Sequence, residues 1–140
     1  MKKTLIVFLL LILCTSLWAQ QSGIRITVTG IKKVKGQLLV AFYNSEDGFL
    51  KADKAIYNKV VNVTGNSMDV YFKDITTGSY AIAIIHDANS NGELDTNFLG
   101  IPTEHIGTSN NIRNYFGPPS YSESVFVYKG GVFSLSISLY

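Results

Sequence analysis

Cysteine is almost missing from this chain: one, Cys14, stands in 140 residues. No intramolecular disulfide can form, so an exported domain of this sequence must be held by its core, by a metal, or by both. Charge excess is missing as well. Lys2 and Lys3 are two of the twelve basic residues, and the other ten face ten acidic ones. Without a basic surplus there is no counterion-release footprint, which argues against nucleic acid as a partner. The chain also lacks paired cysteines, an H-E-x-x-H run and a serine in a nucleophile-elbow setting. No catalytic residue is assigned from motifs.

A long apolar run is absent too. The longest, Leu5 to Leu13, falls short of the roughly 20 residues that span a bilayer, so it makes a poor retained anchor. With Lys2 and Lys3 before it and small or polar residues from Cys14 to Gln20 after it, it reads as an export signal cut after Ala19. A lipoprotein signal would place a small residue where Leu13 precedes Cys14. The expectation is a signal peptide over 1–19, a single domain over 20–140, a secreted or periplasmic location, and no membrane span after cleavage. About 120 residues suit one hydrophobic core.

What is present is mostly strand. Ile24, Ile26 and Val28 alternate with Arg25, Thr27 and Thr29, and Phe133, Leu135, Ile137 and Leu139 alternate with serines. That period of two predicts half-buried strands. Leu38 to Tyr43 and Tyr80 to His86 are apolar on both faces and read as central strands. Lys59–Val63 and Met68–Phe72 flank the turn residues Thr64 to Ser67, and Ser124–Tyr128 precedes Gly130-Gly131. About seven short strands with tight turns and no convincing amphipathic helix predict an antiparallel β-sandwich, immunoglobulin-like or transthyretin-like. A small closed barrel is the alternative.

The chain is organised around the stretch from His86 to Asn97. Asp87, Asn89 and Asn91 put oxygens at alternate positions and Gly92 follows, the first half of a calcium loop. Glu93 would offer its carbonyl and Asp95 its carboxylate, so the expected metal ligands are Asp87, Asn89, Asn91, Glu93 and Asp95. Phe98 stands where an EF-hand has its bidentate glutamate, and no helix flanks the loop. Any remaining ligand would come from Asn97, Glu104 or a backbone carbonyl. With few carboxylates, affinity is expected to be weak, on the order of 10⁻⁴–10⁻³ M. Asx residues also cap their own backbone, so a purely hydrogen-bonded loop is the competing reading.

Asp87 to Pro119 shows no strand or helix period and reads as one long ordered loop, which is uncommon unless functional. Phe98, Leu99, Ile101, Ile106, Tyr115 and Phe116 are expected to pack and pin it down. The second reading makes Tyr115, Phe116 and Tyr121 contacts for a glycan or peptide. A third joins His86 and His105 with Asp87, Asp95 and Glu104 in a metal-dependent hydrolase, on weak spacing.

Gly78-Ser79-Tyr80-Ala81-Ile82-Ala83 leading into His86-Asp87-Ala88-Asn89-Ser90-Asn91-Gly92-Glu93-Leu94-Asp95-Thr96-Asn97 is one half of a resemblance. Leu99-Gly100-Ile101-Pro102-Thr103-Glu104 and Gly107-Thr108-Ser109-Asn110-Asn111 are the other. Together they resemble the bacterial domain-of-unknown-function family numbered 2141, over nearly the whole chain after the signal. The resemblance implies an exported all-β domain with a distinctive Asp/Asn/Gly loop and transfers no catalytic residue. Family members often have an acidic residue after the first loop aspartate, where this chain has Ala88. The reading is an exported, non-enzymatic domain with a binding or structural role in the bacterial envelope, its loop ordered by calcium, its partner an unknown protein, peptide or glycan.

Overall fold

A computed structural model describes residues 22–140, and the expected signal peptide lies outside the described residues. Alternation produces the first sheet. Strand β1 (Gly23–Thr29) buries Ile24, Ile26 and Val28 and exposes Arg25. On one side it pairs antiparallel with β4 (Met68–Lys73), on the other parallel with β8 (Val132–Ser138).

The second sheet runs β3 (Tyr57–Asn62), β2 (Gln37–Tyr43), β5 (Gly78–Asp87), β6 (His105–Thr108). The short β7 (Phe126–Tyr128) pairs with the first residues of β5, and β6 pairs further along. The expected all-β sandwich holds, with eight strands among the described residues and one parallel pair among them, β1 beside β8.

Between the sheets, Ile24, Ile26, Val28, Leu38, Val40, Phe42, Ile82, Ile84 and Ile137 are wholly or almost wholly buried. Each such side chain contributes about 1.5–3 kcal/mol. Phe42 anchors the centre, its ring 4.7 Å from that of Phe72. Among the described residues no helix is long and apolar enough to cross a membrane.

The segment from Asp87 to Pro119 is not one structureless loop. Strand β6 interrupts it. Four residues with one large apolar side chain show no period, and Gly107 looks like a turn residue. It is glycine for another reason: a Cβ there would lie 2.9 Å from Ile137 Cγ2 and 3.0 Å from the Ser138 carbonyl. Helix α1 (Tyr121–Ser124), opened by a Ser120/Glu123 capping box, likewise takes the start of the expected strand at Ser124. Between β6 and β7, the Ser109 hydroxyl accepts from the Ile82 N–H and donates to the Ser124 carbonyl. That one side chain closes the gap along the edge of β5.

Candidate functional site

Strand β5 delivers Asp87 to the sheet edge fully buried. Its register partner is Gln37, whose amide donates to Asp87 Oδ2 at 2.8 Å. The next residues curl back over it: Gly92 N–H donates to Oδ2 at 2.8 Å and Asn91 N–H to Oδ1 at 3.1 Å. Gly92, at φ 82°, allows the curl without a Cβ penalty. Burial pushes the Asp87 carboxyl up, but the Gln37 amide and the N–H groups of Gly92, Asn91 and Ser90 outweigh it and hold the group below its ordinary value. Asp87 is therefore ionised and serves as the hub of the loop.

The other expected ligands converge beside it. Asn89 and Asn91 aim their amide nitrogens at the two oxygens of Asp95, at 2.7 and 2.9 Å. Their carbonyl oxygens cap the backbone N–H groups of Asn91 and Glu93. The set is hard oxygen, the chemistry calcium takes. The side-chain oxygens of Asp87, Asn89, Asn91 and Asp95 already accept N–H donors, so an ion competes with these bonds. Among the described residues no group of three or more His, Cys, Asp or Glu is placed to hold a metal. A cation here would depend on the asparagines and the Glu93 carbonyl. Glu104 takes a structural position: it accepts from Ala88 N–H at 3.0 Å and from Asp95 N–H at 3.2 Å. One carboxylate thus clamps both ends of the turn.

Beyond Asp95 the chain forms a small hairpin. Thr103 N–H donates to the Asp95 carbonyl and Asn97 N–H to that of Ile101. Asn97 Oδ1 caps Leu99 and Ile101. Its tip presents Phe98 at 95% exposure, Leu99 at 68% and Ile101 at 55%. Tyr115 and Phe116 are 100% and 95% exposed. The expectation that these residues pin the loop to the sheet is overturned. From Asp87 to Thr103 backbone and Asx hydrogen bonds order the chain instead, leaving Phe98, Leu99 and Ile101 in solvent. Tyr121 differs from them: it is half-buried and its ring packs 5.9 Å from Phe49.

The two histidines are register partners on β5 and β6, with rings 6.5 Å apart. His86 is buried, and its Nε2 lies 2.9 Å from the Lys35 carbonyl. Burial, then Lys32, then His86 and Lys33 hold His105 below its ordinary value, favouring the neutral ring. His86 shares the core-facing side with Ile82 and Ile84, away from Asp87 and Gln37 on the outer face. The histidines and the loop carboxylates do not form one centre.

Sequence reasoning missed that outer face. Its signal was the two-sided apolarity of β2 and β5, read only as a mark of central strands.

Fold and loop together define an all-β sandwich that carries a long, hydrogen-bonded Asx loop on its five-stranded sheet. The chain belongs to the family described as "Uncharacterized protein conserved in bacteria (DUF2141)", whose model matches residues 26–135. No curated protein and no solved structure matches it.

Proposed function

We propose that this is an exported, non-enzymatic binding domain that takes hold of a protein or peptide partner in the bacterial envelope or outside it. The exposure of Phe98 on a hydrogen-bonded hairpin, and of Tyr115 and Phe116 between β6 and α1, carries this reading. Rings held in water gain their burial energy when a partner covers them, and aromatic residues are enriched at such interfaces. The expected signal over 1–19 supplies the export. N-terminal sequencing of the protein recovered outside the cytoplasm should begin at Gln20.

The test places a photo-crosslinking phenylalanine analogue at Phe98, at Phe116, and at Ser136 on the opposite sheet as control, in the producing cell. A protein adduct at the first two sites and none at Ser136 is the expected result. Phe98→Ser and Phe116→Ser should abolish capture while shifting stability by no more than about 0.5 kcal/mol, as exposed positions do. Absence of protein adducts, with retention on a polysaccharide column lost in Tyr115→Ala, would transfer the site to a glycan.

A second reading keeps calcium as the loop's ligand, supported by the convergence of Asn89 and Asn91 on Asp95 beside the ionised Asp87. At millimolar calcium and a dissociation constant on the order of 10⁻⁴ M, linkage adds about 1.4 kcal/mol. The unfolding midpoint should then rise by about 5 °C over that in chelator, with magnesium ineffective. Equal midpoints in metal-stripped and calcium-loaded protein would leave the loop to its hydrogen bonds alone.

A further inference from the structure

Only one of the two apolar faces of β2 and β5 lies in the core. On the other, Leu39 and Ala41 stand in register with Ile85 and Ala83, and Ile106 extends the Leu39–Ile85 row. The two alanines leave a trough between larger neighbours, and above them lies a groove of about 600 Å³. That falls within the roughly 300–1,000 Å³ of small-molecule sites. Loop segments wall it: Leu50, Ala52 and Ala55 from the β2–β3 connection, Gly92 to Leu94 with Pro102, and Pro118-Pro119. A slender molecule reaches the floor between them more readily than a flat protein surface does.

A second observation is independent of this shape. Thr108, across from Ala83 on β6, lines the groove, is 3% exposed, and its hydroxyl has no hydrogen-bond partner. A buried unpaired hydroxyl costs stability that a valine of the same shape would not. Charge narrows the class further. The Lys59 ammonium donates to the Tyr71 carbonyl at 2.6 Å and lies over the Phe72 ring, while Glu93 stands exposed at the rim. Among the described residues the charged ones that line the groove are Lys59, in register with core-facing Val40 and so turned away from Ala41 and Ala83, and Glu93 at the rim. From Asn58 through Ala41 and Ala83 to Thr108 the row crosses four strands, about 14 Å at roughly 4.8 Å between neighbours, comparable to an extended decyl chain.

We propose that the outer face of the five-stranded sheet binds a small uncharged amphiphile, with its aliphatic chain along Ala41 and Ala83 and its oxygen head paired with the Thr108 hydroxyl. The test titrates the domain with 1-decanol and with decanoate, followed by amide NMR shifts and calorimetry. Decanol should move the amides of Ala41, Ala83 and Thr108 and bind at least about ten-fold more tightly than decanoate, whose buried charge lacks a partner. Ala83→Leu fills the trough and should weaken decanol binding at least about ten-fold with the unfolding midpoint kept. Ala41→Leu serves if that variant fails to fold. Thr108→Val should weaken binding about five-fold, the worth of one hydrogen bond, while raising the midpoint. No binding, binding indifferent to both leucine variants, or decanoate bound as tightly as decanol would each overturn the proposal. So would a concentration-dependent dimer abolished by Ala83→Leu, which would give the groove to a second copy.

Discussion

Asp87→Ala should lower stability by about 3–4 kcal/mol, moving the unfolding midpoint down by on the order of 10 °C. The substitution strips the acceptor from the Gln37 amide and from the Asn91 and Gly92 N–H groups at a fully buried position. Hydrogen bonds to a charged group are worth about 1.5–3 kcal/mol each, and donors left dry add their own cost. Asp87→Asn retains one oxygen and should lose about half as much. Measured in chelator, the effect belongs to the hydrogen bonds; any widening of the difference when calcium stabilises the wild type but not the variant belongs to the ion.

The pH dependence follows from the same group. Asp87 has a depressed folded value, so its contribution is complete above the ordinary carboxylate value of 3.8 and is lost as pH falls through the folded one. His105 is also depressed. Its neutral form favours the fold, and that contribution is lost as pH falls below 6.5 through its folded value. Acidification should therefore lower the wild-type midpoint in two stages, with the lower stage smaller in Asp87→Asn, where Glu123, held down by its bonds to Ser120 and Asn114, still contributes. An Asp87→Ala midpoint within about 2 °C of the wild type would show that the loop is not organised through this carboxylate.

How far the chain could be read depends on the physical signal each segment carries. Strands β1 and β8 were legible because one face is buried and the other wet, so Ile and Leu alternate with Thr and Ser. The Asx loop was legible because Asp87, Asn89, Asn91 and Gly92 occupy positions that only short oxygen-bearing side chains and glycine serve well. β6 was not, since its glycine answers to Ile137 and Ser138 on another strand and composition cannot show tertiary approach. Phe98 misled for a related reason: hydrophobicity states a preference for burial, and a hairpin braced by its own backbone and by Asn97 does not have to meet it. Glu104 was named as a possible ligand, but its pairing with Ala88 and Asp95 across the turn is a long-range fact without a local pattern.

Gly36→Ala should cost about 3 kcal/mol or more, whereas Gly92→Ala, nearer the centre of the motif, should cost only about 1–2 kcal/mol. Both glycines have positive φ, 72° and 82°, so both substitutions meet the left-handed penalty. They differ in what surrounds the missing Cβ. At Gly92 nothing lies within 4 Å, but at Gly36 the Cβ would run into the Asp87 carbonyl and the Ala88 backbone. Neither backbone can yield cheaply. Gly36 accepts from Val63 N–H, Gln37 beside it holds the Asp87 carboxylate, and the Lys35 carbonyl meets His86. The turn between β1 and β2 therefore works as a clamp on the root of the loop. Denaturant midpoints rank the two variants, and hydrogen exchange locates the damage: Gly36→Ala should expose the N–H groups of Ala88, Asn91 and Gly92, while Gly92→Ala should leave Ala88 protected. If the two cost the same, the contact between turn and loop carries no weight. The Asp87 turn would then be set by its own residues alone.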